Sequence, residues 1–246
     1  MPEHESHEDR MTTERRIPDA TVGRLPVYLR VLGDLRDAGV TTVSSDQLAD
    51  LAGVNAAKVR KDLSYLGTYG TRGVGYEVEY LRFEITARLG LSTSTGVAIV
   101  GLGNLGRALA SHRGFRERGF PVVALYDIDP AKVGTELAGV TVSHLDALGA
   151  VDDPLVAIGV IATPPAAAQS VADRLVAAGV RAILNFAPGL ITVGDDVIVR
   201  KVDLASELQV LSYYHHRDVA PDAVDCRETV SAAPADDAVA APPTAS

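Results

Sequence analysis

The residues with the clearest capacity for chemistry are three glycines in Gly101-Leu102-Gly103-Asn104-Leu105-Gly106, which follow the apolar run at 97–100. An apolar run leading into Gly-x-Gly-x-x-Gly predicts a buried strand, a tight turn and the first turn of a helix. In that arrangement Gly101 makes the turn, Gly103 lets backbone approach a pyrophosphate, and Gly106 lets helix pack on strand. The free N–H groups at the helix start, at Asn104 and Leu105, then face the phosphates. A second apolar run, 122–126, ends in Asp127, 26 residues after Gly101. A carboxylate so placed meets the ribose hydroxyls of an adenine dinucleotide and repels a 2′-phosphate, which favours NAD(H) over NADP(H). Asp129 is the rival carboxylate, but the Pro130 that follows marks it as a helix cap. Thr163-Pro164 and Asn185, each ending a later apolar run, look like the rim of a cofactor site. A glycine turn with no ligand is the competing reading of the motif.

The second chemical group is basic. Lys58, Arg60 and Lys61 crowd one short helical segment, while Val59, Leu63 and Leu66 point inward. Between Leu51 and Tyr76 four bases, Lys58, Arg60, Lys61 and Arg72, stand against one acid, Asp62. Such an island fits the phosphates and base edges of duplex DNA, with Ser64 counted among the contacting residues. A plain solvated helix face is the alternative. Next comes Gly67-Thr68-Tyr69-Gly70-Thr71-Arg72-Gly73-Val74-Gly75-Tyr76, whose four glycines exclude a helix and suit two short arms around a tip. Directly after a recognition helix such a hairpin is a wing, its Arg72 able to enter a minor groove. Tyr69 and Tyr76 then fix the wing to its domain.

The elements that must position these groups follow from periodicity. A helical pattern runs from Pro18 through Val22, Leu25, Leu29, Leu32 and Leu35 to a break at Gly39. Residues 42–53 follow, with Ser44 and Gln47 at capping-box spacing, and Asn55 caps a third helix over 56–66. Two short helices joined by a tight turn behind a longer one predict a helix-turn-helix. A helix over 77–89 and the stretch 90–96, rich in Gly, Ser and Thr, close this first domain. After the glycine motif come weak helix or turn candidates at 132–137 and 145–148 around a strand near 140–142. Stronger strands lie at 155–162, 182–186 and 197–199, with an alanine-rich helix over 166–178. The alternation is βαβ, so the sheet is expected to be parallel. A last amphipathic helix covers 203–214. The expected organisation is a disordered arm at 1–17, a winged helix at 18–90, a Rossmann domain at 91–202, a C-terminal helix at 203–216 and a disordered tail at 217–246.

Composition bounds the partners. The 246 residues are 47 % hydrophobic with a net charge of -9, so attraction to nucleic acid must be local rather than global. The single cysteine, Cys226, excludes a disulfide framework and a cysteine-based zinc cluster. His4 and His7 lack a partner of fixed geometry as metal ligands, and no metal is expected. Residues 1–16 lack the apolar core of a signal peptide and no apolar stretch is long enough to span a membrane, which predicts a cytoplasmic protein. A hydride-transfer enzyme needs an acid or base near the nicotinamide, and His112, His144, His215 and His216 sit in no catalytic pattern. The expectation is therefore no catalytic residues. An NAD-dependent oxidoreductase and a dinucleotide-binding interaction module remain the alternatives.

With these residues assembled, residues 20–214 resemble the Rex family of redox-sensing transcriptional repressors. The most specific parts are 58–76, the motif from Gly101 to Gly106, and Ile183-Leu184-Asn185-Phe186-Ala187-Pro188. The resemblance implies a homodimer with a winged-helix N-domain and a Rossmann C-domain. It further implies binding to a palindromic operator and release on binding NADH, with NAD⁺ as the other nucleotide. The C-terminal helix is then exchanged between subunits. The family's interdomain contact of an arginine in the first helix with an aspartate before the swapped helix falls on Arg30 and Asp203. A tyrosine joining that contact in some members is replaced here by His112, a departure from the pattern.

Overall fold

The computed structural model describes residues 17–67, 70–71, 74–149 and 156–218. The chain begins with α1 (Asp19–Val22) and α2 (Leu25–Asp37). The single helix expected from Pro18 is thus two, because the chain turns at Gly23-Arg24 and Pro26 restarts it, its missing N–H costing nothing in a first turn. β1 (Thr42–Val43) precedes α3 (Ser45–Ala52), whose capping box of Ser44 and Gln47 is formed in both directions. Gly53 ends α3 in a left-handed conformation, φ 66°, and Asn55 caps α4 (Ala56–Tyr65) by accepting the Ala57 N–H at 2.7 Å.

β2 (Tyr76–Glu77) pairs antiparallel with β1, so Glu77 belongs to a strand and the next helix, α5 (Val78–Arg88), starts one residue later than periodicity predicts. Side chains from α2 to α5 share one core, with Leu25, Tyr28, Leu32, Leu48, Leu63, Leu81 and Ile85 essentially fully buried. Each such aliphatic side chain contributes about 1.5–3 kcal/mol on leaving water.

From β3 (Gly96–Val100) the chain passes through α6 (Asn104–Ala110) and α7 (Arg113–Glu117) to β4 (Val122–Asp127). Then follow β5 (Glu136–Leu137), β6 (Val140–His144), a 3-10 turn at Leu145–Ala147, β7 (Val156–Ile161) and α8 (Pro165–Ala177). β8 (Ala182–Asn185) and β9 (Ile198–Lys201) complete a sheet of order β5-β6-β4-β3-β7-β8-β9. Every pairing is parallel except β5 with β6. That exception corrects the all-parallel expectation. Ala138 and Gly139 both take positive φ, 54° and 83°, the geometry of a tight hairpin turn, so 136–144 folds back on itself, and the helix-or-turn candidate at 132–137 is a turn that runs into β5.

β3 is buried at all five positions and packs on both faces against separate apolar clusters, one containing Val171, Ala172 and Leu175 of α8. α9 (Leu204–Asp218) is a unit by itself and runs beyond the expected end at Tyr214.

Candidate functional site

Strand order reverses between β3 and β7: β3 is followed by a crossover to β4 on one side, and β7 starts the other half of the sheet. Open α/β sheets bind ligands in the crevice beyond the carboxyl ends of the strands at such a point. Gly101 stands there with φ 94°, and a Cβ on it would lie 2.7 Å from the Ala162 carbonyl oxygen and 2.8 Å from Thr163 Cγ2. A Cβ on Gly106 would run into the Gly101 carbonyl, so α6 can pack this close only with glycine there. Gly103 has no atom within 4 Å of a built Cβ, which leaves its backbone open to a ligand. Asn104 and Leu105 form the first turn of α6.

Asp127, at the end of β4, is only 6 % exposed. Its Oδ2 accepts the Leu102 N–H at 2.6 Å and the Lys132 ammonium at 3.1 Å, while Oδ1 accepts the Asp129 N–H at 2.9 Å. Burial works to raise this carboxyl, but the Asp129 and Leu102 amides and Lys132 outweigh it and hold the group below its ordinary value. Asp127 is therefore an anion that ties the glycine loop to β4. Asp129 accepts the Ala131 N–H at 3.0 Å and caps the turn after it, as its proline neighbour predicts.

Thr163, after β7, carries a buried hydroxyl with no hydrogen-bond partner among the described residues. A buried polar atom without a partner needs one, and at the mouth of this crevice a bound ligand or water is placed to supply it. Pro164 precedes α8 and is exposed. Asn185 is 1 % exposed and its Oδ1 accepts the Ala187 N–H at 2.9 Å, so it braces the loop after β8. Open backbone at Gly103, an orphan hydroxyl at Thr163 and an ionised carboxylate at Asp127 fit a ligand with phosphates at its centre and a diol at one end. Those are the chemical features of an adenine dinucleotide.

On α4, Lys58, Arg60, Lys61 and Ser64 are all exposed. Arg60 Nη1 donates to Ser45 Oγ at 2.9 Å, which holds the guanidinium over the start of α3, and the Ser64 hydroxyl donates to the Lys61 carbonyl at 2.7 Å. Tyr76, 8 % exposed, anchors the base of the hairpin, and Thr71 pairs with Gly75 below its tip. Arg72 and Tyr69 lie outside the described residues.

Asp62, the one acid between Leu51 and Tyr76, is 1 % exposed and belongs to the interior, on the same stripe of α4 as Val59 and Leu63. Its Oδ1 accepts from Thr21 Oγ1 at 2.8 Å and Arg24 Nη2 at 2.8 Å, and its Oδ2 from Arg24 Nε at 2.7 Å and Tyr28 Oη at 2.8 Å. This clamp seats α4 on α1 and α2 and leaves the outer face of α4 purely cationic. Burial and then the bond to Asp62 push the Tyr28 phenol up to about 12. Sequence periodicity does not name the partners of Asp62, because they lie 34 to 41 residues away.

The three residues expected to join the domains sit on separate elements. Arg30 is exposed on α2 beside a cleft with Asp34, Leu35 and Leu51. His112 meets Phe115 edge-on, with ring centroids 5.0 Å apart, in a cavity also lined by Arg113 and Arg116. Asp203 caps α9, its Oδ1 accepting the Ala205 and Ser206 N–H groups at 3.1 and 3.3 Å.

Family models match two parts of the chain: "Putative DNA-binding protein N-terminus" over residues 16–64, and "CoA binding domain" over residues 92–189. The redox-sensing transcriptional repressor Rex of Streptomyces griseus is 58 % identical over 212 residues, covering 86 % of this chain and 84 % of that protein. The protein of the same name from Carboxydothermus hydrogenoformans is 50 % identical over 204 residues, 82 % of this chain and 98 % of its own. Among solved structures, RSP, a Rex-family repressor, in complex with beta-NAD⁺ and operator DNA superposes with a TM-score of 0.77 at 36 % identity. That match covers 82 % of this chain and 94 % of RSP. RSP with beta-NADH gives 0.75 at 35 % identity, covering 82 % of this chain and 96 % of RSP.

Proposed function

The chain belongs to the Rex family of redox-sensing transcriptional repressors, and on that premise we propose that it is a DNA-binding repressor that senses the NADH/NAD⁺ poise and leaves its operator on binding NADH. It is a regulator and not an enzyme, as its relatives are. The observation that carries the reading is one chain holding both a cationic helix-turn-helix face and a dinucleotide cradle at a sheet switch point.

Lys58, Arg60, Lys61, Ser64 and Arg72 form the DNA contact, with phosphate contacts setting affinity and any base-edge contact setting sequence. Gly101, Gly103, Asn104, Leu105 and Gly106 hold the pyrophosphate, Asp127 the adenosine ribose, and Thr163, Pro164 and Asn185 the far end. The domain limits are those expected above, 18–90 and 91–202. The operator is a palindrome and the working unit a homodimer. Support for exchange of α9 between subunits comes from its apolar side chains: Leu204, Leu208 and Leu211 are 62 %, 66 % and 61 % exposed, far more than a helix keeps in water without a partner. Among the described residues no helix is long and apolar enough to cross a membrane, in keeping with work on DNA in the cytoplasm.

NADH and DNA select different placements of the two domains, with Arg30, His112 and Asp203 stabilising one of them. A swing from 1:99 to 99:1 needs about 5.5 kcal/mol of differential binding. The test is affinity for a labelled palindromic operator with and without saturating NADH, NAD⁺ or coenzyme A, at fixed salt. NADH should release the DNA while NAD⁺ and coenzyme A do not. Equal operator affinity with NADH demonstrably bound removes the sensor mechanism.

A further inference from the structure

Asp127 is the residue that should exclude a 2′-phosphate, yet it is not a bare carboxylate. Lys132 Nζ lies 3.1 Å from its Oδ2 and 3.6 Å from Asp129 Oδ2, and the Lys132 side chain is 31 % exposed. Lys132 also lines a small cavity beside the glycine loop, together with Leu102, Arg107, Thr135 and Glu136. We infer that Lys132 is a specificity-determining residue of the adenosine end, one that works against Asp127 and holds discrimination between NADH and NADPH below what the carboxylate alone would impose. The inference rests on Asp127 facing the adenosine ribose, as proposed above.

The reasoning is one of charge and of lone pairs. A ribose hydroxyl bonded to Asp127 at about 2.8 Å puts a 2′-phosphate within roughly 7 Å of Lys132 Nζ, less than a Debye length. At that range an ammonium offsets roughly half of the repulsion that one carboxylate exerts on a phosphate. Lys132 and the Leu102 N–H also occupy Oδ2, leaving the free acceptor capacity of Asp127 mainly on Oδ1, where the Asp129 N–H is the one donor shown. Removing the ammonium therefore has opposite consequences for the two ligands. NADH gains an acceptor for its diol, and NADPH meets an uncompensated anion.

The experiment is calorimetric titration of the full chain with NADH and with NADPH, at low and at high salt, for the wild type, Lys132→Ala, Lys132→Gln and Lys132→Arg. Both neutral variants should weaken NADPH about tenfold while NADH stays within about threefold, a charge effect of the size expected for a partly exposed pair. The widened gap should shrink as salt rises, and Lys132→Arg should restore the wild-type ratio. Asp127→Ala should move the other way, weakening NADH and tightening NADPH. Equal weakening of both ligands by the neutral variants would place Lys132 on the shared pyrophosphate and overturn the inference, as would NADPH binding unchanged. Thermal melts of the ligand-free variants separate these outcomes from misfolding, and Lys132→Gln serves if the alanine variant melts early. A wild-type chain that binds NADH with no loss in Asp127→Ala instead removes the ribose assignment itself, and the inference with it.

Discussion

Replacing Asp62 should cost more than replacing any exposed charge on the same helix. Asp62→Ala deletes four hydrogen bonds, two of them from Arg24, and strands the buried hydroxyls of Tyr28 and Thr21. The Arg24 side chain is 28 % exposed and can turn partly to water, which discounts its share. The two hydroxyls cost about 1–3 kcal/mol each when left unpaired, and breaking a buried ion pair by removing one partner costs about 3–5 kcal/mol in total. The expected destabilisation of the N-terminal domain is therefore about 3–5 kcal/mol, or roughly 2 M in urea midpoint for a small domain. Urea unfolding followed by far-ultraviolet circular dichroism measures it. Operator affinity should fall with it, because α4 loses its seat, while NADH affinity stays unchanged. Burial works to raise the Asp62 carboxyl, but the bonds from Arg24, Tyr28 and Thr21 prevail and hold it below its ordinary value. Its folded pKa is thus the lower one, so its contribution is complete above the unfolded value of about 3.9 and is lost as pH falls through the folded value. Tyr28, raised to about 12, contributes fully below about 10 and loses that contribution as pH climbs through 12. Asp62→Asn should remove the acid-side loss. A change below about 1 kcal/mol in Asp62→Ala, the value of a surface pair, would refute the clamp.

Gly101→Ala should destabilise the dinucleotide domain and abolish NADH binding, since its φ of 94° and the Ala162 carbonyl 2.7 Å from the new Cβ leave no relaxed conformation; wild-type melting and titration curves would contradict this. Thr163→Val keeps the shape of the side chain and removes a hydroxyl that has no partner among the described residues, so the ligand-free melting temperature should hold or rise. NADH affinity should nevertheless fall about three- to tenfold, one ordinary hydrogen bond, and an unchanged titration would free Thr163 of any ligand contact. For the pair Lys58→Ala, Lys61→Ala, the slope of log affinity for operator against log salt should drop by about 1.8, two phosphate contacts' worth, in a fluorescence anisotropy series. An unchanged slope would take both lysines off the DNA backbone.

The sequence by itself determined whatever depends on near neighbours. Ser44 and Gln47, three residues apart, form the capping box that starts α3, and Asn55 starts α4, because a cap is satisfied within one turn of chain. The apolar run into Gly101, Gly103 and Gly106 likewise specifies strand, turn and helix, since each glycine answers a local backbone or packing demand. The βαβ alternation was enough to place Gly101, Asp127, Thr163 and Asn185 at one end of a mostly parallel sheet. Tertiary structure decided the rest. β1 and β2 are two residues each, too short for a period, and exist because residues far apart in the chain meet across the domain, Thr42 with Glu77 and Val43 with Tyr76. The one acid between Leu51 and Tyr76, Asp62, can be interior because Thr21, Arg24 and Tyr28 reach it from a different part of the chain. β5 runs antiparallel because Ala138 takes a positive φ that a non-glycine residue seldom adopts, and nothing in its composition announces that. The pairing of Lys132 with Asp127 depends on how the turn after β4 folds back over the carboxylate. Patterns of period 2 and 3.6 record which face of an element is buried, whereas the charge carried by a buried or half-buried side chain is settled only by whatever distant group the fold brings against it.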